Sequence, residues 1–176
     1  LIPLISCLSE QFKITKGTFV SVHSVTNTQP SLDRAEHSPR WSRASGSNLI
    51  PAPHDNMSLI NKFFPELEGQ LIGRTVRAPV DHTSYVTCSF EVSHRIDRDS
   101  VLSCLAKTKI ASTILGMDDE PLVSSDYVID PRSCVIDGTS VRVIDGSTIF
   151  LSAWYNNEYA FASRMIDIAN RINDRL

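Results

Sequence analysis

Apolar residues at Leu1, Leu4, Ile5, Leu8 and Phe12 recur at helical spacing, which predicts an amphipathic helix over 1–13, with Pro3 in its first turn and Lys16-Gly17 closing the unit. Thr18 to Val25 is rich in β-branched residues and reads as a strand. Residues 27–48 lose periodicity and form a long polar loop. Asn56 to Phe64 reads as a helix stopped by Pro65, and Arg74–Val80 and Ser84–Val92 as strands. In the second strand Val86, Cys88, Phe90 and Val92 share one face, and Tyr85, Thr87, Ser89 and Glu91 the other, as in a sheet with two different environments. Asp97 is placed to cap a helix over 98–107. Cys134–Ile136, Ser140–Ile144 and Thr148–Tyr155 read as three further strands. Asp145-Gly146 makes a hairpin turn, and Asp137-Gly138 is either another turn or a bulge in one long strand. A last helix carries the stripe Phe161, Met165, Ile168, Ile172 and Leu176. Strands joined by short turns favour an antiparallel or mixed sheet over a doubly wound one.

Charge removes some functions from consideration. Seventeen Lys+Arg against 20 Asp+Glu give a net −3, with no electrostatic footprint for nucleic acid or an anionic membrane. With 41% hydrophobic and 21% charged residues in 176, the chain has the composition of one folded domain. No apolar run approaches the roughly 20 residues that span a bilayer. Neither G-x-G-x-x-G nor a P-loop occurs, so no phosphate cradle of those types is encoded. The four cysteines, Cys7, Cys88, Cys104 and Cys134, are scattered and include no C-x-x-C pair, so neither a disulfide framework nor a metal site is expected. Reduced thiols fit a cytoplasmic protein. Within the polar loop, Arg34, Arg40 and Arg43 supply positive charge and Trp41 an anchor, making this a candidate anion loop.

Four stretches carry a resemblance: Val22-His23-Ser24-Val25-Thr26-Asn27-Thr28-Gln29, Asn48-Leu49-Ile50-Pro51, Glu120-Pro121-Leu122-Val123-Ser124-Ser125-Asp126-Tyr127, and Ser152-Ala153-Trp154-Tyr155-Asn156-Asn157-Glu158-Tyr159. In order and at matching intervals, they resemble the catalytic domain of the glyceraldehyde-3-phosphate dehydrogenase family. The resemblance covers essentially the whole chain. It implies an α+β fold: a large mixed, mostly antiparallel sheet with helices on one face and a homotetramer formed through the other. It also implies a preceding Rossmann domain that binds NAD or NADP, and a C-terminal helix (159–176) that packs on it. The family's nucleophilic Cys lies in a segment just upstream of the opening helix. Residues 1–176 are therefore expected to be the catalytic and oligomerisation part of a longer chain, inactive alone. The stripes of the first and last helices are expected to face the absent domain.

The resemblance assigns roles residue by residue. His23 stands at the position of the general base that pairs with the Cys thiolate. Thr26 and Arg77 match ligands of the substrate phosphate, a hydroxyl and a guanidinium being suited to a phosphate dianion. Asn157 matches the residue that fixes the nicotinamide carboxamide, and Phe161 stands where an aromatic ring packs nearby. There are also departures. Trp41 takes the second position of the family's Arg-Arg pair, with Arg40 and Arg43 on either side. His54 and Asp55 replace a Thr-Gly that binds inorganic phosphate. Arg40, Arg43 and His54 thus remain as candidate anion-loop residues.

Three functions follow from the resemblance and its departures. One is a phosphorylating glyceraldehyde-3-phosphate dehydrogenase. Another is a hydrolytic enzyme of the erythrose-4-phosphate type, which Phe63-Phe64-Pro65, Ile136-Asp137-Gly138-Thr139 and Arg142-Val143 resemble. The third is a degenerate, non-catalytic paralogue serving as an oligomeric binding or structural protein.

Overall fold

The computed structural model describes residues 1–52, 57–107 and 113–175. Seven strands form one sheet: β1 (Ile14–His23), β2 (Ile50–Ala52), β3 (Leu71–Arg77), β4 (Thr83–Val92), β5 (Leu115–Asp118), β6 (Cys134–Ile144) and β7 (Thr148–Asn156). Their order is β2-β3-β1-β4-β7-β6-β5. Pairings β1–β3 and β5–β6 are parallel, and the others are antiparallel. The helices are α1 (Ile2–Ser9), α2 (Met57–Phe63), α3 (Arg98–Ala106) and α4 (Tyr159–Asn173). This is the expected mixed, mostly antiparallel α+β architecture.

Side-chain alternation gives the sheet two faces. Phe19, Val86, Cys88, Phe90, Ile149, Leu151 and Ala153 point inward and join Leu4, Ile5 and Leu8 of α1 and Val101 and Leu105 of α3 in one core. The outer face carries Thr18, Val20, Val22, Ile72 and Arg74, all exposed, beside the half-buried Tyr85, Phe150 and Trp154. The short turn at Ser124–Tyr127 covers one part of it, stacking Tyr127 on Trp154 at 5.4 Å between ring centroids.

Several boundaries differ from the sequence reading. The first helix stops at Ser9, and β1 starts at Ile14, so Lys16-Gly17 lies inside a strand. A Cβ at Gly17 would stand 2.6 Å from the Phe90 ring and 2.7 Å from the Ser89 carbonyl, so this glycine marks a close approach between strands rather than a stop. The strand expected over Arg74–Val80 is Leu71–Arg77. Cys134–Ile136 and Ser140–Ile144 merge into β6, with the register shift between Asp137 and Arg142 marking the bulge. β2 and β5 were not predicted, being too short to show a period. The helix expected from Asn56 is described from Met57.

Two turn chemistries are as expected. Asp145 and Gly146 both have positive φ, as a tight hairpin requires. Asp97 accepts from Ser100 N at 2.7 Å while Ser100 Oγ accepts from Asp97 N at 3.3 Å, closing a capping box on α3. The expectation for the terminal helices divides. Leu4, Ile5 and Leu8 are fully buried in this domain's own core, so the α1 stripe does not face an absent partner. In α4, Phe161, Met165, Ile168 and Ile172 are all exposed, and only Ala160 is buried; Leu176 lies outside the described residues. Arg164 ties α4 to the sheet edge by donating to the Thr113 and Pro131 carbonyls.

Candidate active site

The register brings distant residues to one end of the sheet. His23 closes β1 and is paired with Arg77 at the end of β3, which is paired in turn with Ile50 of β2. Thr83 opens β4 opposite Asn156 at the end of β7. Asn156 then shapes the corner leading to α4: its Nδ2 donates to the Val128 carbonyl at 3.0 Å, and its Oδ1 accepts from the Glu158 and Tyr159 N–H groups at 2.8 Å each. That corner presents Asn157.

His23 sits at the centre of the cluster, half-buried. Its Nδ1 lies 2.8 Å from the Ser24 carbonyl oxygen, and its Nε2 lies 2.8 Å from Asn157 Nδ2. Arg77 Nη1 lies 2.5 Å from Nδ1 and donates to the same Ser24 carbonyl at 3.1 Å. Both ring nitrogens are thus engaged, Nδ1 by the Ser24 carbonyl and the Arg77 guanidinium and Nε2 by the Asn157 amide. Tyr155 meets the imidazole edge-on at 5.8 Å between ring centroids. Its hydroxyl lies 2.5 Å from Ser21 Oγ. Burial raises the Tyr155 pKa, opposed by hydrogen bonds from Ser21 and Ser84 and by the charge of Arg77, so the phenol is neutral at physiological pH.

The other candidate residues stand apart from this cluster in their contacts. Thr26 belongs to a turn just beyond β1: its N–H donates to Gln29 Oε1 at 3.1 Å, and its hydroxyl lies 3.0 Å from that of Thr28. Gln29 is buried and its Nε2 has no partner among the described residues. Phe161 is 64% exposed on α4. Arg40 is exposed and reaches the Pro51 carbonyl at 3.5 Å. Arg43 is bridged to Asp33 at 3.1 Å, and Arg34 to Glu36 at 2.7 Å. Asp33 also accepts from the Ala44 N–H, which with Arg43 lowers its pKa. Trp41 stacks on His37 at 6.2 Å. The arginine-rich loop therefore neutralises much of its own charge, leaving Arg40 as the arginine of the three without an ion pair among the described residues. His54 and Asp55 lie outside those residues.

None of the four cysteines fits a nucleophile. All four are buried. Burial pushes Cys88 and Cys104 up to about 12 and raises Cys134 as well, the reverse of an activated thiol. Among the described residues no group of three or more His, Cys, Asp or Glu is placed to hold a metal. No described helix is long and apolar enough to cross a membrane.

Sequence reasoning did not single out Ser21, Ser24, Ser84, Tyr155 or Asn156. A signal for three of them was present. Ser21, Ser84 and Tyr155 fall in the apolar phase of β1, β4 and β7, in line with Phe19, Val86 and Ala153, and toward the same end of three adjacent strands.

The sheet and its inward helices define a domain of the mixed, mostly antiparallel α+β class. The chain belongs to the family described as the glyceraldehyde 3-phosphate dehydrogenase C-terminal domain, whose model matches residues 1–157. It is 34% identical over 175 residues to glyceraldehyde-3-phosphate dehydrogenase 3 of Nostoc sp., covering 98% of this chain and 52% of the relative. It is 32% identical over 179 residues to glyceraldehyde-3-phosphate dehydrogenase 2 of Bacillus subtilis, covering 100% of this chain and 52% of that protein. With the Zymomonas mobilis glyceraldehyde-3-phosphate dehydrogenase it shares 34% over 172 residues, 96% of this chain and 51% of the relative. The chain thus spans about half the length of the curated relatives it matches.

Proposed function

We propose that this chain is the catalytic part of an enzyme that oxidises a phosphorylated aldose, glyceraldehyde 3-phosphate or erythrose 4-phosphate, through a thioester on a Cys outside these residues. The convergence of His23, Arg77 and Asn157 from three separate strand ends carries this reading. The His23 imidazole takes the thiol proton and then the hydroxyl proton of the hemithioacetal, while the Ser24 carbonyl beside Nδ1 and the Asn157 amide beside Nε2 orient the ring. Arg77, with Thr26 from the following turn, anchors the substrate phosphate. That requires the guanidinium to share its donors between the Ser24 carbonyl and the phosphate oxygens.

NAD or NADP would supply the two-electron acceptor, held mainly by a Rossmann domain that precedes this one. The donor set here suits its carboxamide: the Asn157 side-chain amide offers the complementary donor and acceptor, and the exposed Phe161 ring offers an apolar neighbour. Homotetramerisation through the outer sheet face and a cytoplasmic location complete the reading.

Release of the acyl group by water is favoured over release by phosphate. The loop that would hold an attacking phosphate has Arg43 committed to Asp33 and Arg34 to Glu36, and Trp41 cannot supply a charge. The full-length protein, assayed with both aldose phosphates and both cofactors in the presence and absence of phosphate, tests each part. Oxidation of a phosphorylated aldose at a rate indifferent to phosphate is expected. Absence of oxidation refutes the enzymatic reading in favour of the non-catalytic paralogue, and strong phosphate dependence refutes hydrolysis alone.

A further inference from the structure

The ladder between β1 and β4 ends with Val22 opposite Tyr85, yet Ser24, two residues further on, is completely buried. Its backbone groups therefore need other partners. The His23 carbonyl accepts from Ala78 N at 2.9 Å, and Val25 N donates to the Val80 carbonyl at 3.0 Å. The Ser24 carbonyl receives His23 Nδ1 and Arg77 Nη1. The remaining group, the Ser24 N–H, donates to a side chain: Ser84 Oγ, at 3.1 Å. Ser84 is itself completely buried, and its hydroxyl is turned toward Ser24 Oγ at 3.5 Å.

Both peptide units on either side of the Ser24 Cα are thus pinned, and the Ser84 hydroxyl stands in for the strand partner that the ladder no longer provides. The carbonyl that aims the imidazole and takes part of the guanidinium is held where it is by this arrangement. We propose that Ser84 is a positioning residue for His23: it fixes the Ser24 backbone, whose carbonyl sets the direction of the ring. Ser84 touches no reacting atom. The inference rests on the reading of His23 as the general base. A hydroxyl in the apolar phase of β4 is costly without a partner, and its partners here include the backbone of the site as well as the Tyr155 hydroxyl.

The test compares full-length wild type with Ser84→Ala, Ser84→Cys and Ser21→Ala. Loss of the acceptor is expected to lower kcat by roughly ten- to hundredfold with little change in KM, and to shift the acid limb of the kcat profile, because the carbonyl beside the His23 ring is no longer held in place. Ser84→Cys keeps the side-chain size while weakening the acceptor, so it serves if the alanine variant folds poorly, and the same direction of change is expected. Ser21→Ala removes a hydroxyl of the same buried group that does not bond the Ser24 backbone, and is expected to stay within about twofold of wild type. Unchanged kcat and pH profile in both Ser84 variants, or an equal loss in Ser21→Ala, overturns the proposal. Wild-type oxidation of an aldose phosphate tests the underlying reading separately. A crystal structure of the full-length Ser84→Ala protein needs no turnover: loss of the contact between His23 Nδ1 and the Ser24 carbonyl supports the proposal, and its retention overturns it.

Discussion

At the scale of single residues, Arg77 has the most readable consequence. Its Nη1 group lies beside His23 and on the Ser24 carbonyl, so the side chain serves charge and geometry together. Replacing it by Gln in the full-length protein removes a charge-assisted contact of about 1.5–3 kcal/mol. Steady-state kinetics are expected to show kcat/KM for a phosphorylated aldose falling on the order of tenfold to a hundredfold, with a far smaller effect on an unphosphorylated aldehyde. The cysteines give a second expectation. Cys88 and Cys104 titrate near 12 and all four thiols are buried, so at pH 8 alkylation of these positions in the native protein is expected to be slow and to become fast in denaturant. Mass mapping of the modified full-length protein should place any rapidly labelled thiol outside residues 1–176.

The sequence singled out His23, Arg77 and Asn157 through the family resemblance, and the fold brings these three side chains into contact. The supporting shell was not legible. A serine in a strand reads as polar surface unless the register is known, and only the pairing of Ser84 with Tyr155, and of Val22 with Tyr85, reveals that these hydroxyls share a buried end.

Among the elements, the alternating strands and the capped helix α3 were readable from local chemistry, since a period of two and an Asp at a helix start each have a single physical meaning. β2 and β5 were not, because three or four residues show no period and both depend on a neighbour for their hydrogen bonds. Glycine misled in one direction. Gly17 suggests a stop in the sequence, whereas the strand passes through it, and Gly73 shows the same logic on β3. Gly73 is paired with Phe19 of β1, and a methyl group there would collide with the Phe19 ring. Gly73→Ala is therefore expected to destabilise the protein by about 1–3 kcal/mol despite the better strand propensity of alanine. Chemical denaturation checks this, with a lower midpoint at unchanged slope as the expected result.

For the whole molecule, the two faces of the sheet have different fates. The inner face is closed by α1 and α3. The outer face leaves Val20 at 45% and Ile72 at 59% exposed, beside half-buried aromatics. Apolar surface of this kind, continuous across adjacent strands, favours association. Residues 1–176 expressed alone are expected to form oligomers by light scattering, and Val20→Asp with Ile72→Asp to shift them toward monomer. A monodisperse wild-type monomer would contradict the assembly reading. The sequence reading treated the stripes of α1 and α4 alike, whereas the α1 stripe is buried within the domain and Phe161, Met165, Ile168 and Ile172 of α4 are exposed, because helical periodicity shows that a face is apolar without showing what covers it.

The strand order has a further consequence in time. His23 and Arg77 are 54 residues apart in the chain, and His23 and Asn157 are 134 apart. Contacts so remote form late, since the loops between them must close before any pairing repays the lost chain entropy. Catalytic competence should accordingly be among the last properties a refolding molecule regains, trailing the return of secondary structure and burial.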